Sequence, residues 1–344
     1  MKYITGDRCL RIKGYWLMVV GIMLIAGCSS DSTGSDEQQR STGSTLRVVP
    51  YIAAYQSNDA LSRRAVSEGY SPYTPNQDIS IGLFILPTYT EAQLVRYSNG
   101  DWHSQIMVVG SDSCTIYGYM PKSITSSISQ SGGNTTLTLT GIPAVSADDI
   151  CFITGVDDLT GDLLQGQFGY KGKSDENYIR LLMDHLFASV KFNFSVDTDY
   201  SKLRTIKLKS LKLMTSSAPM TAAITLTPNT TGAYPATVEY TTSVGTSTPA
   251  AFFASEDGEQ IPTTTTNFVC CFAPSASSTL SLVTIYDVYD SKGNLIRKNC
   301  EATNKLPDLE AQRGCQVTLN LKVAPTYLYQ LSEPDLDNPT ITIN

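Results

Sequence analysis

Val190-Lys191-Phe192-Asn193-Phe194-Ser195-Val196 alternates apolar and polar side chains without interruption. Successive side chains of a strand point to opposite faces, so this stretch offers one face to a core and the other to water. Val317, Leu319, Leu321 and Val323 repeat the pattern against Thr318, Asn320 and Lys322. Leu280 to Tyr289 is apolar on both parities for part of its length, which predicts a central strand. Ile206 and Leu208 share one parity while Leu211 and Leu213 share the other, so a β-bulge is expected near Lys209-Ser210. Turn chemistry separates the runs at Asn99-Gly100-Asp101, Gly132-Gly133-Asn134, Pro228-Asn229, Asp257-Gly258 and Lys292-Gly293-Asn294. Many short strands between such turns predict an all-β chain of antiparallel β-sandwiches. Ile179 to Leu186 fits helical and strand spacing alike, and the polar Tyr170 to Asn177 ahead of it is the best boundary between two β domains.

The length of 344 residues suits about two domains. Hydrophobic residues make up 41% and charged ones only 17%, enough for a packed core. Net charge is −7, and from Ala65 onward 17 basic side chains face 27 acidic ones. Such a surface repels phosphate backbones, which argues against a nucleic-acid partner.

Met1 to Lys13 carries four basic side chains, and an apolar run from Trp16 to Ala26 follows before the chain turns polar at Ser29. This is the pattern of a signal peptide, and the run is shorter than the about 20 residues a spanning helix needs. Leu24-Ile25-Ala26-Gly27-Cys28 resembles the lipobox of bacterial lipoproteins, which implies lipidation at Cys28. Ser29 to Gly43, rich in Ser, Asp, Gly and Gln, reads as a tether. Six cysteines fall in the part expected to fold: Cys114, Cys151, Cys270, Cys271, Cys300 and Cys315. No C-x-x-C pair exists and His103 and His185 are the only histidines, so no zinc site, and no cofactor, is expected. Most of these thiols read as small buried hydrophobes. Cys270 and Cys271 should face opposite ways in a strand, and Cys300 with Cys315 is the one pair worth testing as a disulfide.

No P-loop, G-x-S-x-G elbow or H-E-x-x-H is present, and the chain does not read as an enzyme. Asp184-His185 reads as structural, and Asp148-Asp149, Asp157-Asp158 and Asp162 miss the spacing of a calcium loop. Trp102 and the tyrosines could line a sugar-binding surface, but such residues more often fill sandwich cores and edges.

Four segments together resemble the fimbrillin family, the type V pilins of Bacteroides-like bacteria. They are Asp78-Ile79-Ser80-Ile81-Gly82-Leu83-Phe84, Asn99-Gly100-Asp101-Trp102, Thr115-Ile116-Tyr117-Gly118-Tyr119-Met120-Pro121, and His185-Leu186-Phe187-Ala188-Ser189-Val190-Lys191-Phe192. The resemblance implies a strand before His185 and two transthyretin-like β-sandwiches in tandem. It also implies export as a lipoprotein, trimming by an arginine-specific protease that removes the first strand, and filling of the vacated groove by another subunit's strand. On this reading residues 1–27 are the signal peptide, 28–64 the lipidated tether with a removable first strand, 65–177 and 178–324 the two sandwiches, and 325–344 a donor-strand tail.

Thr45 to Tyr55 is the candidate first strand, with Pro50 limiting it to an edge or bulge. Leu61-Ser62-Arg63-Arg64-Ala65 resembles the family's cleavage site, with Arg64, then Arg63, as the processing residues; the alternative is a solvated basic pair. Tyr327, Tyr329 and Leu331 alternate with Leu328 and Gln330, then Ile341 and Ile343 with Thr340, Thr342 and Asn344, and these five are the candidate donor residues. The alternative is that this tail pairs with its own domain. The expected partners are other pilin subunits in a homopolymer with tip or anchor subunits, the protease, and the outer membrane through the lipid before processing. The expected location is the outer membrane, then the surface fimbria, as a stalk subunit. The competing reading is a surface lipoprotein that binds glycan or host protein and never polymerises.

Overall fold

The computed structural model describes residues 44–56, 69–108, 113–157, 169–171, 178–216, 220–226, 236–242, 251–327 and 334–343. In chain order the first half contains β1 (Ser44–Thr45), β2 (Arg47–Ala53), β3 (Tyr70–Pro72), β4 (Ile79–Leu86), β5 (Tyr89–Ser98), β6 (Asp101–Ser104) and β7 (Met107–Val108). It continues with β8 (Ser113–Met120), β9 (Thr125–Ser131), β10 (Asn134–Ile142), β11 (Val145–Ser146), β12 (Cys151–Asp157), β13 (Gly169–Lys171) and β14 (Tyr178–His185). The second half contains β15 (Ala188–Val196), the short helix α1 (Thr198–Ser201), β16 (Arg204–Met214), β17 (Met220–Leu226), β18 (Ala236–Thr242) and β19 (Phe253–Gln260). It ends with β20 (Thr266–Phe272), β21 (Ser281–Asp290), β22 (Leu295–Lys305), β23 (Gln316–Tyr327) and β24 (Pro334–Ile343). The all-β class expected from the alternation is what the chain adopts.

A nine-stranded sheet runs β3-β2-β14-β12-β8-β4-β5-β6, with β13 on β8. Adjacent residues of its central strands feed two cores. Leu83, Ile116, Ile153 and Leu181 enter one, while Phe84, Tyr117 and Phe152 enter the other. Burial on both faces explains why Ile179 to Leu186 has no readable period. The second of these cores is closed by the four-stranded sheet β18-β17-β10-β9 through Leu137, Leu139, Ala222 and Ile224. The hairpin β17–β18 thus comes from the second half of the chain and completes the first half's packing, with Leu137 paired to Ile224.

The sheet β11-β20-β15-β23-β24, to which the first half lends β11, faces β19-β16-β21-β22 across Phe192, Phe194, Leu208, Leu211, Leu282 and Val288. The register of β16 shifts between Leu208 and Ser210 against both neighbours, the bulge that the phase slip requires, and it keeps Ile206, Leu208, Leu211 and Leu213 all buried. β21 is internal, between β16 and β22. Cys270 and Cys271 do face apart, one into each half's packing.

Three particulars differ from the sequence reading. Asp257-Gly258 is no hairpin turn: it lies inside β19, where Glu259 pairs with Leu208 and Ala254 with Ser210, and Gly258 at φ +74° takes up the extra residues. Cys300, in β22, and Cys315, just ahead of β23, are both free thiols. The first sheet also runs on past residue 177: Tyr178–His185 pairs with β12 and β2, and the chain passes to the second half around Leu186 and Phe187. Each half has one parallel pair of strands, β2 beside β14 and β15 beside β23.

Candidate assembly site

β2 and β24 are the segments that the sequence marks for exchange. β2 runs parallel to β14, from Arg47 opposite Tyr178 to Ile52 opposite Met183. Its apolar parity points inward: Leu46 just ahead of it, Val48 and Ile52 are buried in the first core, and Pro50 is buried with them. β3 borders β2 only from Tyr51 to Ala53, so no β3 residue pairs with Pro50, whose missing N–H is therefore not needed on that side. The Pro50 carbonyl accepts from the Tyr73 N–H at 2.9 Å.

Beyond β2 the segment is clamped where the two halves meet. The Gln56 N–H donates to Gly314 O at 3.0 Å, and the Gln316 N–H donates to Gln56 O at 2.8 Å. The Tyr55 ring stacks on the His185 imidazole with centroids 3.6 Å apart. Its hydroxyl donates to Asp149 Oδ1 at 2.9 Å and lies 3.4 Å from Cys271 Sγ. Burial, then the Cys271 and Asp149 charges, push the Tyr55 hydroxyl well above its ordinary pKa, so it stays a donor. His185 contacts Ala53 O through Nε2 at 2.6 Å and Asp149 Oδ2 through Nδ1 at 2.7 Å. His185 is buried, with a partner at each ring nitrogen. Its partners were not foreseen, because they depend on the β12 and β2 ladders on either side of β14.

The tail lies on its own chain, the second of the two readings weighed for it. Ile343 pairs with Leu321, Ile341 with Val323 and Pro334 with Tyr327, and Ile341 is buried with Phe192 and Leu282 in the core of the second half. Five side chains hold β24 from the facing sheet and from α1 and its flank. Tyr200 donates to Leu336 O at 2.7 Å, Tyr286 to Pro339 O at 3.3 Å and Asn304 to Ile341 O at 2.6 Å. Arg204 meets Asp337 at 2.6 Å, and Arg297 donates to Asp337 O at 3.1 Å. Burial raises the Tyr200 pKa and pushes Tyr286 up to about 12, so both phenols remain donors. Cys28, Arg63, Arg64, Tyr329 and Leu331 lie outside the described residues. Trp102 is an edge residue, its Nε1 donating to Tyr73 O at 3.2 Å and its ring 5.1 Å from that of Tyr97.

No family model matches the sequence, and no curated protein matches it. Among solved structures the chain is similar to a fimbrial protein of Bacteroides vulgatus, at 11% identity over 87% of this chain and 98% of that one, with a TM-score of 0.39. It is also similar to a candidate cell adhesion protein of Bacteroides fragilis, at 10% identity over 88% and 97% of the two chains and a TM-score of 0.42. A third is the fimbrial anchor protein Mfa2 of Porphyromonas gingivalis, at 9% identity over 87% and 98% and a TM-score of 0.24.

Proposed function

We propose that this chain is a structural pilus subunit, exported with lipid on Cys28, cut after Arg64 (or Arg63) and assembled by strand replacement at the cell surface. The carrying observation is β2: a strand with one side zipped to β14 and its inner face buried, preceding a connection that holds Arg63-Arg64. Removing it leaves a slot: it uncovers Ile179, Leu181 and Met183 of the neighbouring β14 and frees the β14 backbone groups that paired with it. Exposed apolar lining and an unpaired strand edge are together the features that an added strand satisfies.

β24 suits that slot in pattern. Pro339, Ile341 and Ile343 recur at every second position, as Val48, Pro50 and Ile52 do in β2. Because β24 is docked on β23, donation is an exchange of partners and not the capture of a free tail. Stalk position follows from a tail able to donate while the slot accepts. The docked tail is also the observation that favours the second reading, a surface lipoprotein that binds glycan or host protein as a monomer. Treating the purified chain with an arginine-specific protease separates the two. Pilus assembly yields ladders or filaments that disappear when residues 334–344 are removed; clipped protein that stays monomeric at high concentration rejects it.

A further inference from the structure

Asp149 and Cys151 lie two residues apart, and Cys151 pairs directly with His185 across the β12–β14 ladder. Cross-strand partners share a face, and Asp149, in the two residues leading into β12, brings its carboxylate to the same point. Cys151 Sγ lies 3.7 Å from His185 Nδ1, Asp149 Oδ2 lies 2.7 Å from the same nitrogen, and all three donor atoms fall within 4.8 Å of one another. The Cys151 and His185 side chains are buried, while Asp149 is 25% exposed and leaves a way in from solvent.

A nucleophilic Cys-His-Asp relay needs the thiol on one ring nitrogen and the carboxylate on the other. Here both meet Nδ1, and Nε2 is taken by the Ala53 carbonyl. Donation from Nε2–H to that carbonyl directs the Nδ1 lone pair toward the thiol and carboxylate, the outer-shell arrangement that commonly orients a metal-bound histidine. A tetrahedral zinc with usual bond lengths sets N and S about 3.6 Å apart and N and O about 3.4 Å apart. The first spacing is already met, and the second requires Asp149 to withdraw by well under one ångström.

We infer that Asp149, Cys151 and His185 form a binding site for a borderline divalent cation of the zinc type. A mixed S, N, O donor set favours such an ion over calcium or magnesium, which take oxygen ligands. Binding displaces the Cys151 thiol proton and the proton shared between His185 and Asp149, so two positive charges leave as two arrive. Cys271 places a further soft donor 3.4 Å from the Tyr55 hydroxyl that binds Asp149. The inference is independent of pilus assembly, since it uses the intact chain.

Cobalt titration of the chelator-treated chain tests it. One Co²⁺ per chain should bind with a thiolate-to-cobalt charge-transfer band and the visible spectrum of a tetrahedral site, both abolished by excess Zn²⁺. Cys151→Ser should remove the charge-transfer band, and His185→Gln should weaken binding at least tenfold. Cys114→Ser, in the first core, should change neither. A folded parent chain with no saturable band, or a band that survives Cys151→Ser, overturns the site. Should the Cys151 variant fail to fold, X-ray absorption of the zinc-loaded parent decides: one or two sulfurs beside N/O ligands support the site, and an all-oxygen shell overturns it.

Discussion

Leu46→Ala tests what keeps the first strand in place. Leu46 is 1% exposed, and its N–H donates to Ile106 O at 2.8 Å, so the backbone bond survives the substitution while the side chain leaves a hole. Cutting a buried leucine back to alanine costs about 2–5 kcal/mol. Leu46, Val48 and Ile52 together bury on the order of 5–9 kcal/mol, at about 1.5–3 kcal/mol each, so this single change removes a large share of the segment's apolar hold. Once the 57–68 connection is cut, that loss falls on a non-covalent association. At about 1.4 kcal/mol per tenfold, even the lower figure weakens retention by about 30-fold. The assay is the time course of segment loss from protease-cut protein, followed by native mass spectrometry beside a thermal melt of the uncut chain. If the variant keeps its segment as long as the parent does, apolar burial is not what seats β2, and the slot argument falls with it.

The remaining predictions concern the second half. Tyr200→Phe with Arg204→Ala should loosen the docked tail by about 1–2 kcal/mol, combining one lost hydrogen bond with one partly exposed ion pair. Faster amide hydrogen exchange across β24 is the readout, and unchanged exchange counts against side-chain anchoring of the tail. Asp197 caps α1 and meets Lys322 at 2.8 Å; that lysine first, then the Tyr200 N–H, hold its carboxyl below the ordinary 3.8. A depressed carboxylate stabilises the fold above its unfolded pKa and stops doing so as pH falls through the lower folded value. The stability gap between the parent and Asp197→Asn should therefore be full near neutrality and shrink below about pH 3.8; a gap that stays flat into acid would refute this role.

What the sequence reveals here is set by how local the information is. The bulge at Lys209-Ser210 is visible because a strand's parity belongs to its own residues. Tyr178–His185 is not, because burial on both faces erases the alternation. Partnership is harder still. Nothing in Met220–Leu226 says that it pairs with β10 of the first half and not with a neighbour in its own. The same gap hid the Asp149, Cys151 and His185 cluster: the residues are visible one by one, but only the β12–β14 register brings them together. Cys300 and Cys315 fail in the opposite sense: nearness in sequence suggested a bridge, and both thiols are free.

The β17–β18 hairpin has a consequence for how this chain is made. Thr135 to Ile142 must wait for Met220 to Leu226 to find its second neighbour, so Leu137 and Leu139 lack part of their cover until well over half the polypeptide has been made. A fragment ending near residue 185 would emerge with one flank uncovered and sticky. The first half therefore cannot finish its packing until the second half supplies this hairpin.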